Sequence, residues 1–254
     1  MPKFIVAANW KLNNTVQESL MLVAGIIAHV KLAPNVEVVL APPFTSLYSV
    51  GVSLTDSELK LAGQNIYWEE KGAFTGEISG SLLKDIGCLY VLIGHSERRK
   101  YFGETNETVN KRIFAALRNE LVPIMCIGET LQERESGKTY EILERQLKGG
   151  LMGLQQKDLE KFSIAYEPVW AIGTGKNATG DQIEEAHHFI RNYVAKLYDA
   201  PTANNISILY GGSVKASNCK EIYKQPNVNG VLVGGASLDA KGFCDMIAQT
   251  PGQK

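Results

Sequence analysis

Short apolar runs alternate with longer segments of helical periodicity along the whole chain. The runs are rich in Val, Ile and Leu and mostly lack a strict alternation of polar and apolar residues, which is typical of strands covered on both faces in a parallel sheet. The pattern predicts eight strands, at residues 4–9, 36–41, 59–63, 89–94, 122–128, 162–167, 206–211 and 230–235.

The segments between the predicted strands have the spacing of amphipathic helices. The segment from Thr15 to Lys31 opens with Thr15 and Glu18 at the positions of a capping box, in which each side chain satisfies a free backbone N–H. Its apolar positions step by three or four and predict one buried stripe, formed by Val16, Leu20, Val23, Ile27 and Val30. Similar patterns begin at Thr105 and after Asp181.

Eight strand-then-helix units in about 250 residues predict an α/β fold, a single closed (β/α)8 barrel that spans residues 1–254 as one domain. The alternative is an open doubly wound sheet, which usually carries G-x-G-x-x-G after its first strand. Residues 9–14 read NWKLNN instead, and no repeat or linker marks a second domain.

Composition narrows the classes of partner. The 254 residues are 44% hydrophobic and carry a formal net charge of −1, without the basic stripe expected of a nucleic-acid-binding protein. No apolar run approaches the roughly 20 residues of a membrane span, and the N-terminus leaves no room for a signal peptide. The cysteines lie far apart, at positions 88, 126, 219 and 244. We therefore expect a cytoplasmic protein with reduced thiols, no structural zinc site and no nucleic-acid or membrane partner.

The predicted strand ends carry most of the candidate chemistry. Active-site residues of such barrels lie at the C-terminal strand ends and in the loops that follow. Here these ends are mostly polar, charged or glycine: Asn9, Lys11, Gln64, Asn65, His95, Cys126, Glu167, Gly211, Gly212, Ser213, Gly234 and Gly235. The opposite ends have no comparable cluster, which indicates an enzyme.

Glu167 ends the sixth predicted strand and opens the stretch EPVWAIGTGK. A carboxylate there can abstract a proton, especially if apolar neighbours raise its basicity, whereas the alternative is a solvated acid at a loop start. Pro168 gives the loop a rigid beginning and Trp170 can anchor it. The glycines do not form a P-loop, because Trp170 and Asn177 stand where that motif needs glycine and Ser or Thr. We interpret the segment as a mobile lid.

His95 lies in the motif GHSERR, where a short helix can begin. The positive end of a helix dipole lowers the pKa of a histidine and favours neutral imidazole, which can donate a hydrogen bond to a carbonyl oxygen. The alternative is a structural cap, with Ser96 closing the helix and Glu97 pairing with Arg98 or Arg99. His95 and Glu97 also match half of a zinc deaminase signature, but its second half, P-C-x-x-C, is missing.

Lys11 and two glycine pairs suggest that the substrate is an anion. Lys11 can stabilise a developing oxyanion. The motifs YGGS (210–213) and VGGAS (233–237) follow the seventh and eighth strands, where many barrels bind phosphate through backbone N–H groups; ordinary glycine turns are the alternative. The other histidines, His29, His187 and His188, are interpreted as helix surface or edge, and Cys126 as a core residue.

Six motifs together resemble the triosephosphate isomerase family: NWK, GHSERR, CIGE, YEPVWAIGTG, YGGS and VGGASL, in the family's order between residue 4 and about residue 248. The resemblance implies a TIM barrel that interconverts dihydroxyacetone phosphate and glyceraldehyde 3-phosphate without cofactor or metal. It makes Glu167 the base, neutral His95 the group that polarises the carbonyl, and Lys11 the cation that binds substrate and stabilises the enediolate. Asn9 would bind substrate beside Lys11, and Glu97 would support the site through Lys11.

The resemblance also implies a phosphate site, a lid and a partner subunit. The backbone N–H groups of Gly173, Ser213, Gly234 and Gly235 would hold the phosphate. The lid would comprise Val169, Trp170, Ala171, Ile172, Gly173, Thr174, Gly175 and Lys176. The long loop 67–79 would insert into the partner of a homodimer, with Thr75 near the other active site; a second lid is the alternative. We favour the dimer because Trp68 and Phe74 would otherwise expose apolar area.

The chain departs from the family pattern at a few positions, and two other functions remain open. Leu12 stands where methionine is frequent, and Asn177 and Gly180 replace the more usual threonine and proline, which is expected to affect the hinge rather than the chemistry. The alternatives to the isomerase are another phosphate-binding barrel enzyme, such as a lyase acting on a phosphorylated sugar, and a non-catalytic protein built on the same fold.

Overall fold

The computed structural model describes residues 2–172 and 177–252. In this part of the chain eight parallel strands form a closed barrel, in which each strand pairs with its neighbour in sequence and the first closes on the last. The strands are β1 (Phe4–Asn9), β2 (Val36–Ala41), β3 (Lys60–Gly63), β4 (Cys88–Ile93), β5 (Val122–Ile127), β6 (Ser163–Tyr166), β7 (Ser207–Tyr210) and β8 (Gly230–Val233). The predicted closed barrel is confirmed, and the open doubly wound sheet is excluded.

The predicted strands agree with these in number and order, and their ends differ by one or two residues. The largest difference is at β8, where Gly234 and Gly235 were assigned to the strand. The strand ends at Val233, and Gly235 begins a 3₁₀ turn that runs to Leu238. The glycine pair therefore leaves the sheet, and its N–H groups are available outside the ladder of strand hydrogen bonds.

Helices follow the strands around the outside of the barrel. They are α1 (Val16–His29), α2 (Phe44–Ser53), α3 (Gly80–Asp85), α4 (Ser96–Tyr101), α5 (Asn106–Arg118), α6 (Leu131–Glu135), α7 (Thr139–Gly150), α8 (Gly180–Leu197), α9 (Ala200–Asn205), α10 (Cys219–Tyr223) and α11 (Ala240–Ile247). The capping box predicted for α1 is present, since Thr15 N donates to Glu18 Oε2 at 2.7 Å and Glu18 N donates to Thr15 Oγ1 at 3.3 Å. None of the described helices is long and apolar enough to cross a membrane.

The buried face predicted for α1 was only partly right, since Val23 is buried and Val30 is partly buried against the core. The residues that α1 buries are Ser19, Leu22, Val23 and Ile26, whereas Val16, Leu20 and Ile27 are exposed. The helix packs against α2 as well as the barrel, and Ser19 Oγ donates to Ser46 Oγ at 2.9 Å across that contact. Because α1 is apolar on more than one side, the spacing of its apolar residues identified the helix but not its orientation.

The core has two layers, one inside the barrel and one between the barrel and the helices. Along β1, Ile5 and Ala7 point to the inside, and Val6 and Ala8 point to the helices. Both faces of the strands are covered, as their continuous apolar character predicted. The four cysteines are free and buried. Polar side chains of the sheet are therefore accessible mainly at the strand ends.

Candidate active site

The C-terminal ends of the strands surround a cavity of about 200 Å³. Its lining comprises Asn9, Lys11, His95, Glu167, Ile172, Gly211, Gly212, Ser213, Val214, Lys215, Leu232, Gly234, Gly235 and Ala236. The structure thus brings together seven residues that the sequence assigned to catalysis or substrate binding. Four predicted lid residues, Gly173, Thr174, Gly175 and Lys176, lie outside the described residues, and with them the phosphate contact assigned to Gly173.

Glu167 directly follows β6 and is 2% exposed. Its backbone N–H donates to Ile127 O at 2.7 Å, which holds the residue at the barrel rim. Its Oε2 accepts a hydrogen bond from Ser96 N at 2.9 Å, and its Oε1 lies 2.8 Å from His95 Nε2. Both carboxylate oxygens therefore have donors in this geometry.

His95 is the N-cap of α4, as its place in GHSERR suggested. The backbone N–H of Glu97 donates to His95 Nδ1 at 3.2 Å. An Nδ1 that accepts a hydrogen bond carries no proton, so the neutral ring has its proton on Nε2, which donates to Glu167. The helix terminus therefore fixes which nitrogen of the neutral imidazole faces the cavity.

The pKa values of His95 and Glu167 are shifted in the directions opposite to those expected from the sequence, which were a lowered pKa for His95 and a raised one for Glu167. Burial lowers the pKa of His95, but the nearby carboxylates of Glu167 and Glu97 outweigh it, and the pKa is raised above its usual value. Burial raises the pKa of Glu167, but His95, the Ser96 N–H and Lys11 outweigh it, and the pKa is lowered. The expected lowering for His95 was wrong because the strongest neighbour of the imidazole is an acid, not the helix dipole.

Lys11 has a left-handed backbone, with φ of 53°, and two side chains hold it there. Asn9 Oδ1 accepts from Lys11 N at 3.0 Å, and Gln64 Nε2 donates to Lys11 O and to Ala41 O, both at 2.9 Å. The Lys11 ammonium lies 2.5 Å from Glu97 Oε1. Glu97 therefore reaches Lys11, as expected from the resemblance. The sequence marked Gln64 only as a polar strand end and gave no sign of this contact.

Arg99, a residue of α4, connects the ends of β4 and β5 through its side chain. Its Nε donates to Gly94 O at 2.8 Å, and its guanidinium also donates to Asn106 Oδ1 at 2.8 Å and to Cys126 O at 3.3 Å. Gly94 has φ of 73°, and a Cβ there would lie 2.7 Å from the Val109 side chain. This crowded turn, which only glycine fits, sets the direction in which the chain enters His95.

The described part of the predicted lid begins as a 3₁₀ turn at Val169–Ala171, and Glu129 anchors it. Glu129 is fully buried, and its Oε1 accepts from Trp170 Nε1 at 2.9 Å, from Tyr166 Oη at 3.1 Å and from Arg134 Nη1 at 3.1 Å. The Arg134 guanidinium also lies over the Trp170 ring, 4.6 Å from its centroid. Glu129 was not singled out from the sequence, although it ends the motif CIGE.

Small residues line the cavity next to Lys11. A Cβ placed on Gly234 would lie 3.2 Å from Lys11 Cε, and one on Gly235 would meet nothing within 4 Å. The lysine chain therefore passes directly over the first glycine of the pair, and the second is open to the cavity.

One other expectation, for His187, is corrected by the structure, and the position of Gly180 is also seen. His187, assigned to a helix surface or edge, is fully buried in α8 beside the rings of Tyr166 and Tyr210, and its burial lowers its pKa to about 3. Gly180 begins α8, where a Cβ would lie 2.6 Å from Gln225 Nε2. Glycine at this position makes room for a neighbouring side chain.

Comparison with known proteins shows similarity over nearly the whole chain. The family model for triosephosphate isomerase matches residues 4–250. A triosephosphate isomerase of Geotalea uraniireducens (strain Rf4) is 54% identical over 247 residues, covering 97% of this chain and 98% of the relative. Triosephosphate isomerases of Citrifermentans bemidjiense and Moorella thermoacetica are 51% and 50% identical, with the same coverage of both chains.

Proposed function

Because the chain belongs to the triosephosphate isomerase family, we propose that it interconverts dihydroxyacetone phosphate and glyceraldehyde 3-phosphate through an enediolate. The observation that carries this proposal is that Glu167, His95 and Lys11 line one cavity together with Gly234 and Gly235. The presence of these three side chains in one cavity favours the isomerase over a lyase or a non-catalytic protein, since neither needs this set of groups together. We also treat the chain as a single domain.

Glu167 is the proposed base. Its lowered pKa keeps it ionised at neutral pH. To reach a substrate carbon, the carboxylate has to leave His95 and the Ser96 N–H, which are the groups that lower its pKa. Burial, which raises the pKa, remains. The carboxylate therefore becomes more basic as it approaches the carbon, which favours transfer of the proton.

His95 and Lys11 stabilise the charge that develops on the substrate oxygens. Once Glu167 has moved away, the Nε2–H of neutral His95 is available to donate to the carbonyl oxygen, and the Lys11 ammonium balances the negative charge of the enediolate. Glu167 then returns its proton to the neighbouring carbon, while His95 moves protons between the oxygens. Asn9 and Glu97 hold Lys11 in place through its backbone and its ammonium. Each step is a proton transfer, and none invokes a metal or a cofactor.

The proposed phosphate site is formed by the small residues that line the cavity. The backbone N–H groups of Ser213, Gly234 and Gly235, with that of Gly173 from the lid, are the proposed contacts. The lid, Val169 to Lys176, would close over the phosphate and exclude water, which protects the enediolate from losing its phosphate.

A homodimer is the proposed assembly, and the exposed apolar residues support it. Leu12, Phe44, Phe74 and Phe102 are 97%, 37%, 40% and 68% exposed. They follow β1, β2, β3 and β4 respectively, and these strands are adjacent in the barrel, so the four residues lie on one side of its top. Thr75, the proposed contact residue, is exposed in the same loop as Phe74.

Trp68, which on the sequence alone also favoured the dimer, is half-buried and does not belong to that apolar surface. It stacks on Tyr67 with ring centroids 4.1 Å apart, and the Arg112 guanidinium also lies over its ring, 4.9 Å from the centroid. Sedimentation velocity tests the dimer, because Phe102→Glu should shift the protein toward monomer.

The four free thiols agree with a cytoplasmic location.

The proposed function is tested by the isomerisation rate of purified wild type and Glu167→Gln. Removing the base while keeping its shape should lower kcat at least about a hundredfold. Glu185→Gln makes the same chemical change at an exposed position of α8 and should leave the rate unchanged. Near wild-type turnover by Glu167→Gln would refute the role of the base, and an inactive wild type would refute the function.

A further inference from the structure

Among the described residues two lysines line the cavity, and they differ in how their charge is balanced. The Lys11 ammonium lies 2.5 Å from Glu97, and the acid in the cavity wall, Glu167, is hydrogen-bonded to His95. Lys215 is exposed, and its ammonium makes no ion pair or hydrogen bond with any residue in the described ranges. Among the described residues, it is therefore the cavity-lining cation whose charge is uncompensated.

Hydrogen bonds hold the backbone of Lys215 in a turn beside Ser213, Gly234 and Gly235, which form the proposed phosphate wall. Asn218 Oδ1 accepts from Lys215 N at 2.8 Å, and Asn218 Nδ2 donates to Ser213 O at 3.0 Å. One asparagine side chain thus fixes the lysine and the serine relative to each other. Cys219 N also donates to Lys215 O at 3.0 Å, at the start of α10.

We propose that Lys215 is a specificity-determining residue that attracts the dianionic phosphate of the substrate into the cavity mouth. The inference rests on the proposed function. The whole chain has a formal net charge of −1, so the molecule has no general positive field that would attract an anion. A cleft with a local excess of one charge raises the rate of association of oppositely charged ligands. The lysine is therefore expected to favour phosphorylated substrates over uncharged sugars of the same shape.

Because Lys215 is exposed at the mouth, its effect should depend on salt and should appear mainly in kcat/KM. The Debye length falls from about 30 Å at 0.01 M ionic strength to about 3 Å at 1 M. Lys215→Gln should lower kcat/KM about three- to tenfold at low ionic strength, in the lower range of electrostatic steering effects, and this difference should vanish at high ionic strength. The value of kcat should change much less, because the proposed proton transfers involve other residues.

The experiment compares wild type, Lys215→Gln, Lys215→Arg and Lys157→Gln over this range of ionic strength. Lys157 is the matched control, since it is an exposed lysine in the 3₁₀ turn that precedes β6, at the opposite end of the barrel, and it forms no ion pair with another described residue. Lys215→Arg keeps the charge and should keep the wild-type salt dependence. Equal salt dependence of wild type and Lys215→Gln would overturn the proposal, and so would an equal loss of kcat and kcat/KM.

Titration calorimetry with inorganic phosphate separates this proposal from the proposed function. The titration needs no turnover, so an inactive wild type would refute the isomerase and leave the lysine testable. Phosphate should bind Lys215→Gln several-fold more weakly than wild type at low ionic strength. Equal dissociation constants for the two proteins would overturn the role of Lys215.

Discussion

The Nε2 atom of His95 and the Oε1 atom of Glu167 lie 2.8 Å apart, so each proposed catalytic group is the other's hydrogen-bond partner. Burial alone would raise the pKa of Glu167, and His95 is the main group that lowers it instead. The ionisation of the base therefore depends on the electrophile beside it.

We expect the pH profile of kcat/KM to show this dependence. Below neutral pH the substrate phosphate takes up a proton, with a pKa of about 6, so rates are compared per dianionic substrate. On that scale kcat/KM of wild type should fall as pH falls through the pKa of His95, which is raised above its usual 6.5, because protonation removes the neutral imidazole while Glu167 stays ionised. His95→Gln should lower kcat/KM by about 10²-fold or more and replace this acid limb by one that Glu167 alone sets. An acid limb at the same pH in both proteins would contradict the coupling.

Gln64→Glu should impair the site through Lys11 without touching the substrate. The change removes the amide N–H groups that donate to Lys11 O and Ala41 O and places a carboxylate against both carbonyls. An unsatisfied buried group costs about 1–3 kcal/mol. If this cost displaces Lys11 from its position in the site, it corresponds to roughly a tenfold or larger loss of rate. We expect that loss in kcat/KM. Gln132→Glu, at an exposed position of α6, is the control, and equal kinetics for both variants would argue against a positioning role for Gln64.

Trp170→Phe should loosen the start of the lid. Phenylalanine keeps a ring beneath Arg134 but removes the indole N–H that donates to Glu129. Hydrogen bonds to a charged group contribute about 1.5–3 kcal/mol, so the anchor should weaken measurably. If the lid protects the enediolate, the variant should release more inorganic phosphate per isomerisation turnover than wild type. An unchanged ratio of phosphate release to isomerisation would show that the indole contact does not control closure.

His187 should make stability depend on pH below about 6.5. Its pKa is lowered to about 3 in the folded protein, chiefly by burial, whereas an unfolded histidine titrates near 6.5. Between these values the unfolded chain binds a proton that the folded chain does not, so stability falls as pH falls. The slope from this group is about 1.4 kcal/mol per pH unit. His187→Gln should remove that part of the slope in denaturant titrations between pH 6.5 and pH 4.5, and equal slopes for wild type and variant would contradict this assignment.

The sequence predicted features that are decided by local interactions. Continuous apolar runs located all eight strands, and the pairing of Thr15 with Glu18 located the start of α1, because both signals involve residues close in the chain. The candidate residues Glu167 and His95 were found for the same reason, since each lies within two residues of the end of a strand. The glycine pair after β8 was identified too, although it was placed inside the strand.

What the sequence did not predict depends on residues distant in the chain. Gln64 and Lys11 are separated by 53 positions, and Trp170 and Glu129 by 41. Only the folded barrel brings these residues into contact, so the sequence does not show that they are partners. The orientation of α1 required knowledge of α2, which covers one side of it. The pKa direction of His95 required knowing that Glu167 lies against it.

The pairing of β1 with β8 has a consequence for synthesis of the protein. The strand that leads into Lys11 is synthesised before its partner at Gly230–Val233, with the six other strands between them. Until then one edge of β1 has unpaired backbone groups, which are open to pairing with another chain. The glycines of the phosphate wall directly follow β8, so the nascent chain completes the barrel and that wall in the same late step. A chain that stops before β8 would be open to aggregation and would also lack that wall.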